Sequence, residues 1–218
     1  MTVPPSMHRG SFGALGFVAL SMAACVGQTI PARPDPGLAD AVIDSPGHGF
    51  APIGRATGPV DLETAANATE APPDAARAEL KNTTFRAGFE RLWGQGKQYV
   101  GDLVLEFDHP VEARAFVDYE VAFLKRQPIA SVYADRVIPG ATDFILNGST
   151  RTHPNVFCQG AWFALENRAF NLYHCDPDAP VGTSVLTATA LAQYRHALVV
   201  QDATSPSPTN LTASPTAP

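Results

Sequence analysis

This chain has little of what would announce a chemistry. No G-x-S-x-G elbow is present, so the nucleophile turn of an α/β-hydrolase is missing. No phosphate loop occurs, because Gly94-Gln95-Gly96 lacks the trailing glycine and lysine. There is no H-E-x-x-H and no regular spacing of acids and histidines, so neither a metal nor a cofactor is expected. The longest apolar run, Phe12 to Leu20, falls short of the ~20 residues needed to cross a bilayer. Basic charge is also scarce: 15 Lys and Arg stand against 21 Asp and Glu, for a net charge of −6. That balance argues against nucleic acid or anionic headgroups as the main partner. Cysteines number three, Cys25, Cys158 and Cys175, and the odd count needs explaining.

The first of them ends an export signal. A short n-region carries Arg9 as its only full positive charge, and Met7 makes a more usual start for it than Met1. The apolar run follows, and then Ser21-Met22-Ala23-Ala24 offers small side chains to a peptidase. Met22-Ala23-Ala24-Cys25 resembles the lipobox of bacterial lipoproteins, with Met22 where that family usually has Leu. The resemblance spans residues 1–25 only. It implies cleavage after residue 24, a diacylglyceryl thioether on Cys25 and acylation of the new amino terminus, palmitate included. Several acyl chains on one residue hold a protein stably where one is marginal. Val26 replaces the Asp that would retain a Gram-negative lipoprotein at the inner membrane, so the outer membrane is the expected home.

Proline sets the expected domain limits. Eight of the 20 prolines fall between residues 26 and 73, with six glycines and no apolar period. Residues 25–73 therefore read as a lipidated start and a disordered, semi-stiff spacer. Residues 202–218, rich in Ser, Thr and Pro, read as a disordered tail. The globular part is expected at 74–201. Within it Asp74 is the expected cap of a helix through Leu80, and Thr84 that of a second with Phe85, Phe89, Leu92 and Trp93 on one face. Gln98 to Phe107 alternates as a strand. Asp108-His109-Pro110 starts a helix to about Arg126, with Val111, Ala115, Tyr119, Ala122 and Phe123 on one face and Phe116, Val117, Val121 and Leu124 widening it. Two extended segments follow, 129–138 and 142–146, and Asn147-Gly148 signals a type I′ hairpin returning through residues 149–152. A last helix is expected from Thr187 to about Val199, with Leu191, Tyr194, Leu198 and Val199 inward.

The remaining two cysteines fit one hairpin. A two-residue turn at Glu166-Asn167 sets Cys158 opposite Cys175 on a non-hydrogen-bonded position, where Cα atoms approach to about 4.5 Å. The same register puts Phe163 against Phe170 and lays the Tyr173 ring over Gly160. A helix through Ala161 to Tyr173 is the competing reading, and two buried free thiols the alternative to the bond.

No constellation of side chains dominates. Once bonded, the cysteines cannot act as nucleophiles. His109 reads as a solvated helix-start residue, His153 as a loop residue before Pro154, and His174 as part of a solvent-facing strand. A metal site of His153, His174 and Asp176 is conceivable, but ordinary surface roles account for each. Trp93, Trp162, Phe163, Phe170 and Tyr173 could line a groove for sugar or peptide, although packing explains their spacing equally well. The resulting expectation is a small single α+β domain: an antiparallel sheet, two to four helices packed on it and one cross-strand disulfide. Held to the membrane by its lipid, it would act without catalysis, through another envelope protein or a cell-wall component. A module binding a cell-wall saccharide or peptide, and a hydrolase, remain open alternatives.

Overall fold

The computed structural model describes residues 36–47, 49–54, 56–148, 156–181 and 183–204, all of them in the unit Pro31–Pro218. Five helices and eight strands follow in the order α1 (Pro36–Ala41), β1 (Ala51–Pro52), β2 (Gly58–Val60), α2 (Leu62–Ala68), α3 (Pro73–Asn82), β3 (Phe85–Gln95), β4 (Gln98–Phe107), α4 (Pro110–Leu124), β5 (Ala130–Ala134), β6 (Thr142–Gly148), β7 (Val156–Leu165), β8 (Arg168–Asp176) and α5 (Thr183–Thr204). One antiparallel sheet runs β1-β3-β4-β8-β7-β6-β5, with β2 also on β3. The expected α+β class holds, with five helices in place of two to four. No helix among the described residues is long and apolar enough to cross a membrane.

Helices cover both faces of the sheet, and this explains most of what alternation could not show. Over one face lie α2, α3 and α4, on a core of Leu103, Leu105, Phe107, Phe116, Trp162 and the cystine. Over the other lie α1 and α5, on Trp93, Val100, Val104, Phe163, Phe170 and Leu172. The central strands β4 and β8 are therefore buried on both sides. Burying any one of these large side chains contributes about 1.5–3 kcal/mol, so the two cores are of comparable worth.

The hairpin β7–β8 forms in the expected register, with Cys158 facing Cys175, Phe163 facing Phe170 and Leu165 facing Arg168. The disulfide joins Cys158 to Cys175 across a Cα separation of 4.1 Å. One detail differs. Tyr173 packs over the bare backbone of Gly101 in β4, while Phe144 from β6 fills the space above Gly160. A glycine on each neighbouring strand lets a ring lie flat against the sheet.

Several expectations are corrected. Residues 36–73 are no spacer: Leu38, Ala41, Val42, Ile43, Val60, Ala65, Ala66 and Ala71 are buried. Their elements have two to seven residues, too short to show a period, and they fold because the sheet offers them surface. Residues 85–95 form a strand and not a helix, paired with β4 along its length. Their helical spacing arises because apolar side chains go to both covered faces. Gly96, at φ +61°, turns the chain with Lys97 into β4. Pro72, not Asp74, sits at the N-cap of α3. His109, not Asp108, caps α4: the Glu112 carboxylate accepts the His109 N–H at 2.9 Å, while Asp108 pairs with Arg86. The α4 face that packs inward holds Ala113, Phe116, Val117, Glu120, Val121 and Leu124; Val111 is left exposed. With apolar residues round most of the helix, docking of Phe116 on Phe107 and Trp162 selects the face. Asn147-Gly148 is no turn, since both residues continue β6 against Phe157 and Val156; the return through residues 149–152 lies outside the described residues. Helix α5 starts at Thr183 and reaches Thr204, into the expected tail, and buries Leu186, Ala190, Gln193 and Ala197 while Val199 is exposed.

Candidate functional site

The residues singled out from the sequence do not converge. Cys25 and His153 lie outside the described residues. His109 is exposed at its cap. His174 is buried, contrary to the solvent-facing expectation, because α5 and the residues before β1 cover that face. Its Nε2 lies 3.3 Å from Gln98 Oε1, its ring meets Phe50 edge-on at 5.5 Å, and burial lowers its pKa. Gln98 also donates to Asp176 at 2.6 Å. Gln98 thus joins His174 to Asp176, and among the described residues no acid and histidine group has the geometry of a metal site. The five aromatics considered for a groove are at most 6 % exposed, so they are core.

Two carboxyl pairs that the sequence did not flag carry the unusual electrostatics. The first is internal. Glu120 on α4 is fully buried, and its Oε2 accepts the Glu70 N–H at 3.2 Å. Burial, and then the charge of Glu70, push its pKa to about 8. Nearby, Tyr173 donates its hydroxyl to Glu90 at 3.0 Å, and Tyr99 is raised to about 12 by burial and by Glu70. This cluster ties the segment before α3 to α4. Glu120 at its centre is wholly buried.

The second pair lines a surface cleft of about 300 Å³ between β5, β6, the loop joining them and the first turns of α5. Tyr133, Asp135, Arg136, Val137, Asp143 and Thr187 form its walls. The loop holds its shape because the Asp135 carboxylate accepts the N–H groups of Val137 and Ile138, the latter at 2.8 Å, and Asp135 N–H donates to Ala141 at 3.0 Å. Asp143, opposite Tyr133 in the β5–β6 register, is half-buried. Burial, the Asp135 charge and a hydrogen bond with Asp135 raise it to about 7. Asp143 therefore titrates near neutral pH, well above an ordinary aspartate. Tyr133 and Val137 are 42 % and 52 % exposed, the largest apolar side chains open on this side. Strand β5 itself ends the sheet: it pairs with β6 and, among the described residues, with no other strand. A terminal strand with free N–H and C=O groups is a template for an added strand. Only the fold brings these features together, because Asp135 and Asp143 look like ordinary loop and strand acids in the sequence. The Pro139-Gly140 break between two extended segments was the sole signal of the loop.

No protein-family model matches the chain, and no curated protein matches it. Among solved structures, the extracellular domain of PknH from Mycobacterium tuberculosis is similar at 14% identity and a TM-score of 0.41, over 57% of this chain and 69% of that one. A likeness of that size bears on neither activity nor partner.

Proposed function

We propose that the protein is an exported, membrane-tethered recognition module that binds another envelope component at the β5 edge, without catalysis. The observation that carries this reading is the open edge of β5 beside a cleft with exposed Tyr133 and Val137. Main-chain hydrogen bonds along such an edge supply affinity, and side-chain pockets next to it supply selectivity. Two features support the location. The Cys158–Cys175 disulfide suits an oxidising compartment, and the lipobox-like Met22-Ala23-Ala24-Cys25 suits lipid anchoring, with the outer membrane favoured by Val26. Residues 26–35 then serve as the tether.

A photo-crosslinking residue at position 133, used in intact cells, should yield one discrete envelope product. The same residue at position 199, exposed on α5, should not. Crosslinks from position 199 with none from position 133 would overturn the assignment of the edge. Cys25→Ser should release folded protein from the membrane fraction, and retention there would remove the anchor. A hydrolase is the second reading, favoured by an Asp143 raised to about 7 beside Asp135 in an open cleft. Release of fragments from purified cell wall, lost in Asp143→Asn, would establish it.

A further inference from the structure

Residues 36–47 cross the α5 side of the sheet as a strap. Leu38, Ala41, Val42, Ile43 and Pro46 are its buried side chains. Most of the polar contacts that tie it down go to its main chain. Gln193 of α5 accepts the Ile43 N–H at 2.9 Å and donates to Ala41 O at 2.7 Å. Trp93 Nε1–H donates to Asp44 O at 3.2 Å, and His196 Nε2 lies 2.7 Å from Asp40 O. Arg91 of β3 donates to Ile43 O at 2.8 Å, reaches the carbonyls of Ala39 and Val42 at 3.4 Å, and meets the Asp44 carboxylate at 3.1 Å.

Beneath the strap lies Asp102. It is wholly buried, and neither of its oxygens has a hydrogen-bond partner among the described residues. Burial raises its pKa well above the ordinary aspartate value and so favours the neutral, protonated form. Arg91 is its direct partner across β3 and β4. Opposite charges facing each other on adjacent strands ordinarily pair. Here the guanidinium is held by the strap, and the Ile43 N–H, whose nearness opposes the rise in pKa, donates to Gln193.

We propose that residues 36–47 are a releasable latch: the strap and Asp102 compete for Arg91, and when the strap lifts the guanidinium turns onto the Asp102 carboxylate. The Asp102 proton passes to solvent in that step. The docked state keeps five buried apolar side chains and leaves a buried acid without a hydrogen-bond partner; the released state exchanges that burial for an ion pair. Release also uncovers Trp93 and Val104, which the strap helps to bury. The strap follows directly on residues 26–35. If those residues are the tether, release extends the reach of the domain by up to ~40 Å, the extended length of the segment. That extension rests on the tether reading, whereas the latch does not.

The test is a double-mutant cycle on the full chain carrying Cys25→Ser, read by exchange of the Trp93 indole N–H. With two tryptophans in the chain, the signal is readily assigned. Asp102→Asn should slow exchange about fivefold or more, because the released state loses its ion pair. Arg91→Gln should speed it, and Asp102→Asn should then have no effect in the Arg91→Gln background. The same factor in both backgrounds would overturn the latch, whatever its size. If Arg91→Gln does not fold, Gln193→Leu loosens the strap while leaving Arg91 in place. Asp102→Asn must slow exchange there too, and an unchanged rate overturns the proposal. Neither result depends on Cys25, so failure of the latch and failure of the tether are told apart.

Discussion

Replacing Glu120 by glutamine should stabilise the fold at neutral pH and cost it about 1 kcal/mol in acid. In the native state the carboxyl is sealed under α4, beside Glu70, and holds its proton up to about pH 8. The unfolded chain releases it near the ordinary glutamate value of 4.5. Between those values the folded state binds more protons than the unfolded one, so stability falls as pH rises, at up to about 1.4 kcal/mol per pH unit. The contribution is whole below pH 4.5 and lost by the time pH passes 8. At pH 7 the wild type has given up about 3 kcal/mol relative to a side chain that never ionises. Glutamine is such a side chain, and its carbonyl can accept the Glu70 N–H in place of Oε2. An amide left without partners would cost ~1 kcal/mol or more, so the net gain expected is about 2 kcal/mol at pH 7. Urea melts of both proteins at half-unit steps from pH 4.5 to 8.5 measure it. Asp61, Asp108 and Asp176, whose pKa values are lowered by their partners, destabilise both proteins alike in acid and cancel in the difference. A difference that stays constant across the window would refute the buried, protonated Glu120.

Three further outcomes test the fold and the cleft. Reducing Cys158–Cys175, or replacing both by Ala, should cost about 3 kcal/mol by the chain-entropy model, seen as a fall in Tm of roughly 6–12 °C; a chain melting at the same temperature with and without reductant would remove the staple from the account. Gly101→Ala should lower stability by about 1–3 kcal/mol, because a methyl there collides with the Tyr173 ring, and the urea midpoint reports it. Asp135→Asn should lower the Asp143 pKa, since a neighbouring charge is lost, while leaving it above the ordinary aspartate value because burial is the larger cause; carboxyl carbon NMR follows that titration. An Asp143 signal that does not move would separate the two acids.

Some of this architecture was legible along the chain because it is local. Cys158 and Cys175 stand equally far from the Glu166-Asn167 turn, and a two-residue turn leaves one register for the strands on either side. Pro110 marks the start of α4 because a proline's missing N–H and fixed φ suit the first helical turn. The strand at 98–107 showed through because its two faces differ enough in side-chain size. Where both faces are covered that signal fades, and the same covering turned the expected helix at residue 85 into β3.

What tertiary structure alone decided is which surfaces meet. Nothing in Pro36 to Val60 repeats, yet the segment folds because Arg91, Trp93 and Gln193, far along the chain, present groups that its carbonyls and N–H can use. Composition marks it as a spacer because short elements gain their free energy from the sheet they dock on, not from their own period. The chemistry of Glu120, Asp143 and Asp102 is likewise a property of position. Each is an ordinary acid in the sequence, and only removal from water beside another carboxyl, or beside an arginine already engaged, gives it a different proton affinity. The order of residues determined the cystine pair and the hairpin. Long-range packing determined the strap, the open β5 edge and the acids beside it, because burial and pairing between distant residues exist only once the sheet has formed.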